Sequence, residues 1–197
     1  KPVAVTLGAA TLTGAKAGNY SVALANSPTA NITTKAITMN VSVANKTYDG
    51  TVVASITSTS LNGVETGDNV TIDGTKVSGV FADPDKANSK AVTVTLATGV
   101  LTGSDASNYT VTVAGSPSAN ITARTITIAA DNKTKGSGAA DPPLTYSITA
   151  GSLVSRLGVA DAISGSLVRA TGTAAGDYAI TIGSLAIVDG SATPAPS

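Results

Sequence analysis

The best candidates for acid–base catalysis in this chain are Asp83 and Asp85, which flank Pro84. A pair of carboxylates can serve as acid and base in glycoside hydrolysis, and carboxylate oxygens are also ligands that calcium prefers. Asp and Pro are equally typical of tight turns, because the Asp side chain accepts hydrogen bonds from the backbone of its own turn. The sequence favours a structural turn here and leaves a carboxylate pair and a weak calcium site as alternatives.

Other chemistry is restricted by what the chain lacks. Its 197 residues include no histidine and no cysteine, which removes the usual Ser–His–Asp and Cys–His arrangements and imidazole or thiolate metal sites. We therefore predict no catalytic residue, no cofactor and no enzymatic activity. A Ser/Lys dyad and a Lys–Asn or Lys–Asp isopeptide crosslink are the covalent chemistry that the composition still allows.

The composition predicts an all-β fold. Threonine, serine, valine, alanine and glycine dominate, and β-branched residues suit a pleated sheet. Apolar and polar residues alternate along residues 37–43, 92–96, 109–113 and 178–182, as in half-buried antiparallel strands. Only residues 155–164 have the character of a short helix. Each domain is expected to be a small antiparallel sandwich or a β-grasp-like sheet.

A long internal repeat divides the chain. The stretch that begins at Lys1 returns from Lys90, and Tyr20 aligns with Tyr109. The repeat predicts three parts. The end of a truncated copy, which we call the N-terminal segment, covers residues 1–33. A complete copy, the central module, covers residues 34–122, and a divergent third copy, the C-terminal module, covers residues 123–197. The joints NITTKAIT and NITARTIT contain no Gly or Pro, so we expect one strand to run straight from each copy into the next and the copies to form an elongated rod.

Tyr20, Tyr109 and Tyr178 stand at matched positions, each before an alternating segment. The apolar phase of those segments places the rings on the buried face, so we predict that they anchor the cores. Tyr48, followed by Asp49 and Gly50, is predicted to pack over a tight turn. Solvent-facing rings that stack on a sugar are the alternative.

Several motifs resemble known repeats. The central module contains Lys46-Thr47-Tyr48-Asp49-Gly50-Thr51, Val64-Glu65-Thr66-Gly67-Asp68 and Gly79-Val80-Phe81-Ala82-Asp83, and the C-terminal module contains Asp141-Pro142-Pro143-Leu144-Thr145-Tyr146 and Gly176-Asp177-Tyr178. The central module is similar to the YDG repeat, and the C-terminal module to the MBG repeat, of large bacterial surface adhesins that resemble filamentous haemagglutinin. The resemblance implies an extracellular, cell-surface stalk that projects a binding domain and contributes to adhesion or biofilm, with no shared catalytic residues.

Charge and hydropathy limit the partners. Twelve basic residues balance twelve acidic ones, so no basic field is available to hold a nucleic acid, and no apolar run has the roughly 18 residues that a membrane helix needs. We expect host or bacterial glycans or proteins to be bound by other parts of the parent protein. A carbohydrate-binding module and a self-associating fibre or matrix subunit remain the alternative functions.

Overall fold

The structure is a computed structural model that describes residue 3 and residues 12–23, 29–156 and 159–188. These residues form β-strands and three short 3-10 helices, at Ala17–Asn19, Gly74–Lys76 and Ala106–Asn108, and contain no α-helix. The prediction of an all-β chain is confirmed. Over the same residues, no helix has the length and apolar character required to cross a membrane.

The central module contains ten strands. They are β1 (Lys35–Val43), β2 (Lys46–Thr47), β3 (Val53–Ala54), β4 (Ile56–Asn62), β5 (Thr71–Ile72), β6 (Val77–Phe81), β7 (Ala87–Leu96), β8 (Leu101–Thr102), β9 (Tyr109–Val113) and β10 (Ser118–Thr122). One sheet has the order β4-β1-β9, a second has the order β2-β10-β7-β6-β3, and β5 pairs with β8. The strands predicted at residues 37–43, 92–96 and 109–113 lie in β1, β7 and β9, as expected.

The core of the central module lies on the inward faces of its two larger sheets. Ile37 and Met39 on β1 are buried, as the alternation of apolar residues predicts. On the second sheet, Phe81, Val92 and Ile121 are buried and form one cluster with Ala54 and Ala119. The sheets contact each other where β1 approaches β10 and β4 approaches β6. The module is therefore the sandwich-like alternative.

The first two strands of the central module pair in parallel with its last two. β1 pairs in parallel with β9 from Lys35↔Tyr109 onward, and β2 pairs in parallel with β10 at Thr47↔Thr122. The other strand pairs are antiparallel. The prediction of purely antiparallel modules is thus wrong at these two places, where the strands are far apart in sequence and no hairpin connects them.

The C-terminal module is built from short strand pairs. Its strands are β11 (Thr127–Ala130), β12 (Tyr146–Ala150), β13 (Ser155–Arg156), β14 (Val159–Ala160), β15 (Ala162–Ser164), β16 (Val168–Arg169), β17 (Ile180–Thr181) and β18 (Ala186–Val188). They pair antiparallel as β11-β12, β13-β14, β15-β18 and β16-β17. Leu167 is its buried apolar residue in the described part of the chain, so its hydrophobic core is much smaller than that of the central module.

The short helix that the sequence allows at residues 155–164 is absent from the described part of that segment. β13 pairs with β14, and β15 pairs with the distant β18. The Asp161 amide also donates to Val154 O at 2.9 Å. Strand pairing with other parts of the module therefore overrides a weak local helix preference.

The prediction of unbroken strands across the joints is wrong as well. β10 ends at Thr122 and β11 begins at Thr127, so residues 123–126, which we call the linker, lie outside both ladders. From here on the C-terminal module means residues 127–197, without the linker. Residues 31–34 likewise precede β1 without belonging to a strand. Within the NITARTIT stretch, the Arg124 side chain bonds the C-terminal module, donating to Ser152 O at 2.7 Å.

The N-terminal segment repeats one local structure of the central module. The 3-10 helix Ala17–Asn19 has its counterpart in Ala106–Asn108, and the residue after each has nearly the same extended backbone. Burial differs sharply, however: Ile121 is 0 % exposed and Ile32, its sequence equivalent, is 74 % exposed. The repeat therefore preserves the local backbone structure without preserving burial.

These matched positions make a stability test. We predict that Ile121→Ala lowers the free energy of unfolding of the central module by about 3 kcal/mol, because a fully buried side chain is lost and a cavity is left. Ile32→Ala should change it by less than about 0.5 kcal/mol, since exposed side chains contribute little. Chemical denaturation followed by circular dichroism measures both, and equal effects would contradict the assigned core.

Candidate functional site: the joint between the modules

The Tyr-Asp-Gly turn, residues 48–51, is held by hydrogen bonds to one carboxylate oxygen. Asp49 Oδ1 accepts from the Thr51 amide and the Thr51 hydroxyl, both at 2.9 Å, and from Lys46 Nζ at 2.8 Å. Tyr48 is half-buried and packs against the core cluster, and its amide donates to Thr122 O at 2.8 Å. The turn is thereby fixed beside the last strand of the central module.

Lys46 is a positioning residue that the sequence argument missed. Its ammonium group donates to Asp49, to Thr51 O at 2.7 Å and to Val53 O at 3.2 Å, and it lies 5.7 Å from the centre of the Phe81 ring. One cation therefore ties the turn to the following strand over the core. The signal that could have revealed this contact is the spacing of three residues between Lys46 and Asp49 in Lys-Thr-Tyr-Asp-Gly-Thr.

Asp83 and Asp85, the pair that the sequence singled out for acid–base chemistry, lie in a turn held by hydrogen bonds and an ion pair. Asp83 Oδ1 accepts from the Asp85 amide at 2.9 Å and forms an ion pair with Lys90, whose ammonium also donates to Asp85 O at 2.9 Å. The hydrogen bond from Lys90 lowers the pKa of Asp83 most, and the bond from the Asp85 amide lowers it further, so the pKa lies below its ordinary value. An ionised carboxylate suits an ion pair, whereas a general acid near neutral pH needs a raised pKa.

Asp85 faces the C-terminal module. Arg156 Nη1 lies 3.2 Å from Asp85 Oδ1, and this ion pair joins the two modules. Each of the two carboxylates considered for calcium thus faces a cationic side chain. Within residues 12–23, 29–156 and 159–188, no group of three or more His, Cys, Asp or Glu side chains is close enough together to hold a metal ion.

The three matched tyrosines have three different environments. Tyr109 is 7 % exposed, and its hydroxyl donates to Asp68 and accepts from the Glu65 amide. Tyr20 is 74 % exposed, so the prediction that it anchors a core is wrong: the local sequence that it shares with Tyr109 does not by itself determine burial. Tyr178 is half-buried beneath the Arg169 guanidinium, 4.9 Å from its ring centre.

The hydrogen bond to Asp68 raises the pKa of Tyr109 above its ordinary value. Tyr109 therefore stays protonated and donating throughout the physiological pH range. Because its partners lie in the loop that contains Glu65 and Asp68, this one ring connects the Val64-Glu65-Thr66-Gly67-Asp68 motif to the strand that pairs with β1. Its role in the structure is to hold a loop against a sheet.

The linker is bonded directly to the C-terminal module. Arg124 donates from Nε to Ser152 O and from Nη2 to Ser152 Oγ, each at 2.7 Å. A cleft of about 240 Å³ lies beside this contact, lined by Tyr48 and Asp85 from the central module and by Val154 and Asp161 from the C-terminal module. Since the planar, forked guanidinium is suited to two directed bonds, Arg124 fixes the direction in which the chain leaves the central module.

The arrangement predicts a simple pH dependence. Hydrogen bonds or ion pairs lower the pKa values of Glu65, Asp73, Asp83, Asp105 and Asp141. Carboxylates with lowered pKa values in the folded state stabilise it above their ordinary pKa, and this stability is lost as the pH falls through the folded values. The chain has no histidine, the side chain that ordinarily titrates between about pH 5 and 8.

We therefore expect the thermal unfolding midpoint to be constant from about pH 6 to pH 8 and to fall by several degrees between about pH 5 and pH 2.5. Differential scanning calorimetry across this range provides the measurement. A midpoint that moved as much between pH 6 and 8 as it does below pH 4 would contradict the assignment of the carboxylates.

Comparison with protein families agrees with the division seen in the structure. A model of the YDG domain matches residues 33–119, and a model of the MBG domain (YGX type) matches residues 126–187. Searches of curated proteins and of solved structures found no match. The resemblance read from the motifs is confirmed: this chain carries a YDG domain followed, across a short bonded joint, by an MBG domain of the YGX type.

Proposed function

We propose that this chain is a structural spacer in a secreted bacterial cell-surface adhesin, where it holds a binding domain away from the cell. A YDG domain followed by an MBG domain is consistent with a cell-surface adhesin-type module. The observation that carries the proposal is that the first two strands of the central module pair in parallel with its last two, β1 with β9 and β2 with β10. Its consequence is geometric and requires no catalytic group.

Parallel pairing separates the entry and exit of the chain. The chain enters the central module at Lys35, beside Tyr109, and leaves it at Thr122, beside Thr47. Between these points the two segments lie side by side, since the Ala114 amide donates to Met39 O and the Asn120 amide donates to Asn45 Oδ1. The nine residues of β1 alone span roughly 26 Å at about 3.3 Å per step, so the module carries the chain forward rather than returning it to its starting point.

The joint supports the same function. The linker has no Gly or Pro, and bonds from Arg124 and Arg156 connect it and the central module to the C-terminal module. A flexible Gly/Ser tether would bring the ends of the chain closer together on average than rigidly connected modules do. Spacing by bonded modules therefore gives a longer reach for the same number of residues.

The proposed location and partners follow from this function. We place the chain outside the cell, as the resemblance to surface adhesins implies, and its many hydroxyl side chains and lack of cysteine are compatible with that location. Contacts with host or bacterial glycans and proteins are assigned to other domains of the parent protein. The spacer itself has no enzymatic role in this proposal.

One observation favours a second function, self-association into a fibre or matrix. The described strands of the C-terminal module form two-stranded sheets. Several of its apolar side chains are solvent-exposed: Val159, Val168, Ile182, Ile187 and Val188. Open strand edges and exposed apolar residues provide surfaces on which another chain can add a strand.

Small-angle X-ray scattering combined with sedimentation velocity tests the proposal. For the spacer we expect a monomer at all concentrations, with a radius of gyration well above the value of about 16 Å for a compact chain of 197 residues. A radius near that value would overturn it. A sedimentation coefficient that rises with concentration would replace the monomeric spacer with the self-associating function.

A further inference from the structure

We propose that the Tyr-Asp-Gly turn of the central module is a docking surface for the backbone of the module that follows, and that its glycine is required by that contact. This inference rests on the proposed spacer function and adds how one module sets the orientation of the next. The docked partner is the stretch of the C-terminal module at residues 152–156.

The close approach occurs at Gly50. A Cβ atom built on Gly50 would lie 2.5 Å from Ser155 O and 3.3 Å from Ser155 C, both in the C-terminal module, with Val154 Cγ2 at 3.6 Å. Contacts under 3.0 Å to a Cβ are essentially never found in proteins, so residue 50 can carry no side chain while the modules are docked. The glycine thus serves the joint as well as the turn.

Two separate constraints favour glycine at residue 50, its backbone conformation and its contact with the next module. Gly50 has a φ of +76°, and Gly99, in the turn before β8, has a φ of +78°. Around Gly99 a built Cβ meets nothing within 4 Å. The two positions therefore share the same left-handed backbone requirement, and only Gly50 also has the backbone of another module pressed against it.

A second glycine makes the matching contact from the other side. Gly151 has a φ of +75°, and a Cβ built on it would lie 2.4 Å from Thr125 O and 3.1 Å from Ile126 Cα in the linker. The C-terminal module thus approaches the linker as closely as the central module approaches residues 154 and 155. Two backbone contacts therefore hold the joint: that of Gly151 fixes the linker against the C-terminal module, and that of Gly50 fixes the central module against residues 154 and 155.

The side chains around these contacts define what the docking surface accepts. Arg124 bonds Ser152 twice, and Asp85 faces Arg156, one residue beyond the docked carbonyl of Ser155. Asp49 and Lys46 hold the turn in shape before any partner arrives, since both lie within the central module. The surface therefore fits an extended backbone segment followed by a cationic side chain.

Limited proteolysis with trypsin tests this contact, because Arg124 lies in the linker and its side chain is bonded to Ser152. In the docked joint, cleavage after Arg124 should be slow. Gly50→Ala should accelerate the appearance of the fragment that ends at Arg124 by roughly tenfold or more, because cleavage follows the population of the open joint. Mass spectrometry identifies the fragment and its rate of formation.

The matched control is Gly99→Ala, which introduces the same left-handed strain without a contact to another module. It should leave the rate of cleavage after Arg124 within about twofold of the unmodified chain, while circular dichroism shows that both variants keep their sheets. Equal acceleration by the two substitutions, or none by either, would overturn the proposal.

A second variant keeps the test decisive if Gly50→Ala fails to fold. Asp85→Asn removes the ionic contact to Arg156 without altering the turn. At low salt, where an exposed ion pair is least screened, we expect it to accelerate the same cleavage by about threefold or more, which exceeds the twofold limit set for the control. No acceleration by Asp85→Asn would then count against docking. The scattering dimensions of the unmodified chain test the spacer separately, so failure of the docking surface and failure of the spacer are distinguishable.

Discussion

The structure of the central module depends on one constraint, the parallel pairing of its first two strands with its last two. It brings β1 beside β9 and β2 beside β10, and so closes a core that buries Ile37, Met39, Tyr109 and Ile121. A module whose ends paired antiparallel would return the chain to its starting point. Because they are parallel, the chain leaves at the far end, and the next module must be held there by contacts at the joint.

Those contacts rely on backbone shape more than on charge. The ion pair between Asp85 and Arg156 is partly exposed, and pairs of this kind contribute about 0 to 1 kcal/mol. The approaches at Gly50 and Gly151 are steric, so they are independent of salt and leave little room for other orientations. Arg124, with two directed bonds to Ser152, adds direction. A slender chain with few aromatic residues can thereby maintain a defined joint without a large hydrophobic interface.

The sequence predicted much of the fold where the signal is local and failed where it depends on distant partners. Strict alternation identified β1 and β9, and the repeat located the equivalent turns before Tyr20 and Tyr109. The same repeat misled about Tyr20, since burial depends on strands elsewhere in a module. The parallel pairs, the loss of the helix at residues 155–164 and the contact between Gly50 and Ser155 link residues far apart in sequence, and no local pattern encodes them.

The central claim is that the two modules are held as one body by the joint, and nitrogen-15 relaxation of backbone amides measures this directly in solution. If the claim holds, amides of the central module and of the described C-terminal module fit a single, axially elongated rotational diffusion tensor, and linker amides have order parameters near those of the strands, about 0.85. Two separate correlation times, each suited to a module tumbling alone, with mobile linker amides, would contradict it.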